Sequence, residues 1–416
     1  MDEPKNNHTL QQTFAALKHR NFRLFWTGQA VSLIGTWMQN VAQSWLVLEL
    51  TKSAFWLGVV SALQFLPMLV FSLFAGTLVD RLPKQKMLIF TQTFSAILAF
   101  TLALDVQFHT VVLWHVLVIA TLLGMTNTLD MPTRQAFMIE LVGKQDLMNA
   151  IILNSSIFNA ARILGPSVAG FVIAKLGMGL CFYLNAFSFI PVIGGIIMIR
   201  FVNRPSIISP QERPGVLPEI KEGLRYVYRT PVIFAAVLLM AVINIFALNF
   251  NVLIPLYARN VFKIGAQGFG LLMAANGIGA VVGSIILAAG SYRRTPKVGT
   301  LVVASSALCV FELLLVPVKS HLLAYLLLSL VGFSMIAYTT TTNSLIQVHS
   351  PDNLRGRVMS IYTLVFSGFT PFGSFLSGWA ANLWGAPPAM GLGAIISLLF
   401  IGMMVFWSPE AFKRSS

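Results

Sequence analysis

Apolar stretches of about 20 residues follow one another along almost the whole chain, separated by short loops, and this feature leaves few folds open. A stretch of that length crosses the hydrocarbon core of a bilayer as a helix, which satisfies its own backbone polar groups where no water can do so. Most of the stretches lack the continuous polar face that a buried helix of a soluble protein needs. Nor do they show the short alternating segments of a membrane β-barrel. Composition agrees: 56% of residues are hydrophobic and 10% are charged, where soluble domains carry about 25% charged residues. The chain therefore reads as an all-α polytopic membrane protein embedded in a lipid bilayer.

Twelve spans are expected, at about 22–50, 54–79, 87–104, 110–129, 149–174, 179–200, 231–257, 268–289, 297–317, 321–343, 357–383 and 388–407. An even number puts both termini on one side. Of the 28 Lys and Arg residues, Lys52, Lys175, Arg259, Lys263 and Lys319 fall in the opposite loops and Arg162 falls within a span. All the others lie on the side of the termini, and this bias predicts that the termini are cytoplasmic. The net charge of +14 is thus a topology signal, not a nucleic-acid footprint. The N-terminus is polar through Arg20, so no cleavable signal peptide is expected before the first span. Cys181 and Cys309 both sit in apolar stretches and read as small packing residues. No metal-ligand spacing and no Walker loop is present, so neither a cofactor nor ATP is expected.

The chain also repeats itself. The loop Gly76-Thr-Leu-Val-Asp80-Arg81-Leu82-Pro83-Lys84-Gln85-Lys86 has a counterpart in Gly290-Ser-Tyr-Arg293-Arg294-Thr295-Pro296-Lys297. Pro83-Lys84 superimposes on Pro296-Lys297 and Arg81 on Arg294. With an offset one residue shorter, Leu57-Gly58-Val59-Val60-Ser61-Ala62 falls on Phe269-Gly270-Leu271-Leu272-Met273-Ala274. Two six-helix parallel pseudo-repeats are expected: a tail at 1–21, a first bundle at 22–200, a linker at 201–230, a second bundle at 231–407 and a tail at 408–416. Repeats of this kind place a substrate site near the bilayer midplane between the halves. The linker begins with Pro205, Pro210, Pro214 and Pro218. It then carries apolar residues at helical spacing from Leu217 to Arg229, as a surface amphipathic helix does. It reads either as a hinge between moving halves or as a passive tether.

These residues resemble the major facilitator superfamily. Gly76-x-x-x-Asp80-Arg81-x-x-Lys84-x-Lys86 looks like its signature loop between helices two and three. Several stretches resemble a bacterial exporter branch that includes the enterobactin exporter: Thr133-Arg134-Gln135-Ala136-Phe137, Asn149-Ala150-Ile-Ile-Leu-Asn154-Ser155, Phe158-Asn159-Ala160-Ala161-Arg162-Ile-Leu-Gly165-Pro166, Glu222-Gly223-Leu224-Arg225-Tyr226-Val227 and Leu354-Arg355-Gly356-Arg357-Val358-Met359-Ser360. The resemblance covers nearly the whole chain. One departure is Pro83, where the family loop usually has Gly; Pro keeps the turn and stiffens it.

The resemblance implies a secondary transporter of the bacterial inner membrane, and the expected cytoplasmic gate is Gly76, Asp80, Arg81, Lys84, Arg355 and Arg357. Asp80 would face the start of helix eleven near Arg357, where a helix N-terminus favours a carboxylate by roughly 0.3–1 kcal/mol. The other reading of the loop is a simple positive-inside anchor. The second copy has Arg293 in place of Asp80, which would make the gate one-sided.

Polar residues in a span are costly and face protein or water. Span one carries Gln29, Ser32, Thr36, Gln39 and Gln43 on one face with Asn40 beside it, and span five carries Ser155, Asn159, Arg162 and Pro166. Span seven carries Asn244 and Asn251 on one face and Asn249 off it, and span ten ends in Tyr338 to Asn343. In the superfamily, helices one, four, seven and ten line the pathway with two, five, eight and eleven beside them. The substrate cavity expected from this is Gln39, Asn40, Gln43, Asn159, Arg162, Asn244, Asn251 and Thr341. Interhelical hydrogen bonding is the competing role for each. Arg162 reads either as the partner of an acid such as Asp130 or Glu49 or as an anion contact for substrate. Gly165, Pro166 and Gly170 partly resemble the exporters' helix-five bending motif.

A proton antiporter needs a protonatable carboxylate in the membrane. Asp130 and Glu49 are the preferred candidates, with Glu312 ranked below them because span nine is usually a peripheral support helix. His115, near the start of span four, reads as an interfacial residue. The functional expectation is proton-coupled efflux of a small organic molecule, siderophore-like or drug-like, by a monomer. An importing symporter of the same fold is an alternative. An integral membrane enzyme is another, but the 14 acidic residues form no paired motif for catalysis.

Overall fold

The computed structural model describes residues 15–200, 216–291, 297–351 and 354–407. The proline-rich start of the linker, most of the loop at 290–297, residues 1–14 of the first tail, the second tail, the surroundings of Gly76 and the side chains of Asp80 and Arg81 lie outside the described residues.

After a 3-10 turn at Ala15–Lys18 the chain runs through α1 (Arg20–Thr51), α2 (Ala54–Arg81), α3 (Lys84–Gln107), α4 (Leu113–Gly143), α5 (Gln145–Leu176) and α6 (Met178–Ile197). The linker helix α7 (Val216–Arg229) follows. Then come α8 (Pro231–Phe246), α9 (Phe250–Leu256), α10 (Gly265–Ser291), α11 (Val298–Leu315), α12 (His321–Val348), α13 (Arg355–Gly368), α14 (Thr370–Trp384) and α15 (Ala386–Trp407). Of the twelve expected spans, 11 are long and apolar enough to cross a membrane among the described residues. The remaining one is α1, whose 32 residues give ample length at 1.5 Å per residue. Its Gln, Asn, Ser and Thr side chains lower its hydropathy, and four of them, Gln29, Ser32, Gln39 and Gln43, are buried against protein.

Two spans are built from more than one helix. Span seven breaks at Ala247–Asn249 between α8 and α9, then ends in a π-turn at Tyr257–Val261. Span eleven breaks at Phe369 between α13 and α14, just before Pro371. Spans four and five are longer than expected. The loop predicted at 130–148 is helix on both sides of Gly143, which stands at φ 70° and ψ 178°, a backbone region open almost solely to glycine. Asp130 therefore lies within α4 and not at a span end.

The helices cluster into two compact units, 1–42 with 71–212 and 43–70 with 213–416. The division in space differs from the division in sequence at 43–70, the last part of α1 and most of α2. In the first unit, a buried core at one end joins Phe22 and Phe25 of α1, Leu88 of α3, Phe137 and Leu141 of α4, and Val192 and Ile196 of α6. Phe25 meets Phe137 edge-on at 5.6 Å.

In the second unit, residues 43–70 pack on the C-terminal helices. A Cβ at Gly58 would lie 2.5 Å from the Ser374 carbonyl oxygen, and one at Gly378 would lie 2.7 Å from the Gly58 Cα. These two glycines let α2 and α14 touch backbone to backbone, the contact small residues permit between membrane helices. Trp45 stacks on Phe269 at 6.2 Å, Phe55 meets Phe375 at 5.7 Å, and the Ser53 hydroxyl donates to Asn382 at 3.1 Å. Arg259 of the π-turn donates to the Leu48 carbonyl.

Candidate functional site

In the first unit, the chemistry centres on Asp130. Its carboxylate is buried, accepts from the Thr91 hydroxyl at 2.6 Å and the Gln92 amide at 2.7 Å, both on α3, and pairs with Arg134 one turn along α4. An ionised group inside a bilayer is held by such partners or not at all. The partner considered from sequence was Arg162, but α4 supplies its own in Arg134. Lys84, expected in the gate, forms an ion pair with Glu140 of α4 at 3.7 Å. His19 meets Asp146 at 2.7 Å, and Asn149 accepts from the Ala16 backbone at 2.9 Å, so the start of α5 is tied to the turn before α1.

The polar face of α1 divides. Gln29, Ser32 and Gln39 are buried, and Gln39 accepts from Asn185 on α6. A Cβ at Gly35 would lie 2.4 Å from the Ser188 hydroxyl, so α6 sits directly on this face. Interhelical hydrogen bonding is thus the visible role of Gln39. Gln29 keeps a buried amide oxygen with no hydrogen-bond partner among the described residues. Asn40 is half-buried and engaged; Gln43 is buried in the second unit. On α5, Asn159 is half-buried and bonds to the Ser155 carbonyl at 2.9 Å; Arg162 is half-buried and holds an interaction of its own. Gly165 brings α5 onto α1, since a Cβ there would lie 2.4 Å from the Trp37 Cβ. The backbone keeps helical angles through Gly165 and Pro166, and both are buried with Gly170.

In the second unit, the break in span seven gathers polar groups. Asn244 is buried and donates to Met240 at 2.9 Å, while Asn249, at the break, donates to Ile245 at 2.8 Å. Gly373 of α14 approaches both: a Cβ there would stand only 2.7 Å from the Asn244 carbonyl and the Asn249 amide oxygen. Asn251 is exposed in the unit, and Thr341 is buried on α12. Glu49 is exposed and accepts from Trp45 at 2.7 Å. Glu312 is the opposite case: it is 1% exposed, and neither carboxyl oxygen has a hydrogen-bond partner among the described residues.

The linker helix forms a second site that the sequence placed only in outline. Glu222 of α7 pairs with Arg357 of α13, the Tyr226 hydroxyl donates to the His349 carbonyl at 2.9 Å, and Arg355 donates to the Ser350 carbonyl at 3.4 Å. Glu222 and Tyr226 are one turn apart on the amphipathic face, a spacing from which docking could have been read. For the Asp130 partners, the signal was Thr91-Gln92 inside an otherwise apolar span.

Helices long and apolar enough to cross a membrane, with ionisable and amide side chains buried among them, define a polytopic membrane protein. The model of the transmembrane secretion effector family, a branch of the major facilitator superfamily, matches residues 11–412, and the chain belongs to that family. It is 24% identical to the staphyloferrin A transporter of Staphylococcus aureus, covering 94% of this chain and 97% of that protein. It is 27% identical to the multidrug efflux pump Tap of Mycolicibacterium fortuitum, covering 90% and 92%. It is 22% identical to the enterobactin exporter of Escherichia coli, covering 93% and 91%. Among solved structures, the nucleoside transporter NupG superimposes with a TM-score of 0.69 at 12% identity, covering 96% of this chain and 98% of that one. The fold is the major facilitator fold, and the protein is a multi-pass membrane transporter.

Proposed function

We propose that the protein is a proton-coupled exporter of a small organic molecule, siderophore-like or drug-like, working by alternating access in the bacterial inner membrane with both termini cytoplasmic. The observation that carries this reading is the buried Asp130–Arg134 pair with its Thr91 and Gln92 donors. A structural purpose alone is a poor reason to keep an ion pair in lipid, whereas a pair whose acid takes up a proton loses its attraction and changes the packing around it. The full-length similarity to siderophore and drug transporters supports the direction and the substrate class. Asn159, Arg162, Asn244, Asn251 and Thr341, with Asn40 and Gln43, supply the polar contacts for substrate. Gly76, Asp80, Arg81, Lys84, Arg355 and Arg357 act as the cytoplasmic gate, and the packing of 43–70 on α14 as the outer one.

The test is transport in inverted membrane vesicles from cells expressing the protein, with a panel of siderophores and fluorescent drugs as probes. Accumulation of at least one probe on energisation, abolished by a protonophore, is the expected result. Accumulation in right-side-out vesicles instead, or accumulation indifferent to the protonophore, overturns it.

A further inference from the structure

Glu312 stands apart from every other acid among the described residues. It lies in α11, one turn before the end of that helix, and is 1% exposed with both carboxyl oxygens unpartnered. No cation among the described residues pairs with it. The helices that pack on α11 are mainly α12 and α15, with a smaller contribution from α8. None of α8, α11, α12 or α15 contains a Lys or Arg. Arg259, on the same π-turn as Tyr257, directs its guanidinium to the Leu48 carbonyl.

The titratable groups around it are neutral ones. Cys309, one turn earlier on α11, and Tyr257, on the π-turn of span seven, both lie close enough to feel its charge. The Tyr257 hydroxyl is buried and unpartnered among the described residues, as is that of Tyr338 on α12, whose nearest titratable neighbour from another helix is Tyr362 of α13. The other titratable groups of α12 are His321, whose ring packs on Phe262 at 5.7 Å, and Tyr325. On α15, Ser397 lies beside Cys309 and donates to the Gly393 carbonyl at 2.8 Å; neither α15 nor α8 has a titratable residue.

A carboxylate without donors or a counter-ion is among the most costly groups to bury, and a carboxyl that carries a proton is far cheaper. A purely structural site would place a Gln or a Leu here. We propose that Glu312 is a proton-binding site of the second unit, flanked by Cys309 and Tyr257, with the Tyr257 hydroxyl as its neighbour for proton exchange. The chemistry is a single protonation: the carboxylate takes a proton to become the neutral acid and returns it when charged surroundings or water reach it. Its use in transport rests on the proton-coupled reading above. The π-turn that carries Tyr257 closes a span that is broken at Ala247–Asn249, so movement of that segment alters what faces the carboxyl.

Infrared difference spectroscopy of the purified protein in lipid vesicles, between acidic and alkaline buffer, tests the site without any substrate. The wild type should show a carboxylic-acid carbonyl band that shifts in heavy water. That band should vanish in Glu312→Gln and persist in Asp130→Asn and Glu49→Gln. Tyr257→Phe, which leaves the carboxyl in place, should move the band and its titration midpoint. A wild type without the band, or a band unchanged in Glu312→Gln, overturns the proposal, as does an unaltered titration in Tyr257→Phe for the role of that hydroxyl. Probe accumulation in energised inverted vesicles separates the two readings. A wild type indifferent to a protonophore counts against proton coupling and leaves the band to decide the site. A proton-driven wild type matched by Glu312→Gln removes Glu312 from coupling.

Discussion

Gly378→Val tests the outer packing most sharply. A Cβ at this position would stand 2.7 Å from the Gly58 Cα, 2.8 Å from the Ala54 carbonyl oxygen and 3.0 Å from the Gly58 nitrogen. All three neighbours are backbone, so no side chain can rotate away. Reaching ordinary carbon–carbon contact requires α2 and α14 to part by roughly 1 Å. Overpacking of this kind costs about 1–3 kcal/mol. The contact can be relieved by releasing 43–70 from α14, so under the proposed alternating access the strain falls on one state and shifts the equilibrium by about 5- to 150-fold. Ser53, half-buried against Asn382 at 3.1 Å, is the reporter. A Ser53→Cys background can be labelled with an impermeant maleimide in right-side-out vesicles, because the native Cys181 and Cys309 are buried. Labelling should accelerate about tenfold or more in Gly378→Val, the factor that about 1.4 kcal/mol provides. Equal labelling rates in a folded variant would show that this contact does not hold the outer side shut.

Further substitutions probe other parts of the fold. Asp130→Asn strips Arg134 of its ion partner where both are largely buried; a thermal melt should register a loss of about 3 kcal/mol, which Arg134→Gln in the same chain should partly restore, and proton-linked efflux should cease. Unchanged pH dependence of efflux would remove Asp130 from coupling. Gly143→Ala forces a side chain into a φ of 70° and should destabilise the protein by about 1–3 kcal/mol, seen as a lower melting temperature; an unchanged melt refutes the strain. Gly223→Val presses on Ile361 and Arg357, whose side-chain atoms already lie 3.1 and 3.3 Å from a Cβ built there. It should lift α7 from α13 and expose the linker to protease, while Glu222→Gln alone, removing a partly exposed pair, should change stability by less than about 1 kcal/mol.

The membrane class, the span count and the family were legible without coordinates, because each rests on local properties: run length, hydropathy and short motifs that a single helix or loop carries. The Gly76–Lys86 loop and its partial copy announced the pseudo-repeat in the same way. What a helix faces is not a local property. The Gln29–Gln43 stripe was visible as a polar face of α1, yet only the packing showed α6 beneath it, with Asn185 bonded to Gln39. Arg162 was the partner that the sequence suggested for Asp130, and the structure gave that place to Arg134 through an i,i+4 step that the expected loop at 130–148 had hidden. As sequence, Asp130 is an acid toward the end of a span and Glu312 an acid within one. Tertiary structure gave Asp130 three partners and left Glu312 with none among the described residues. Burial and hydrogen bonding depend on which helices meet, and that decision belongs to the packed chain.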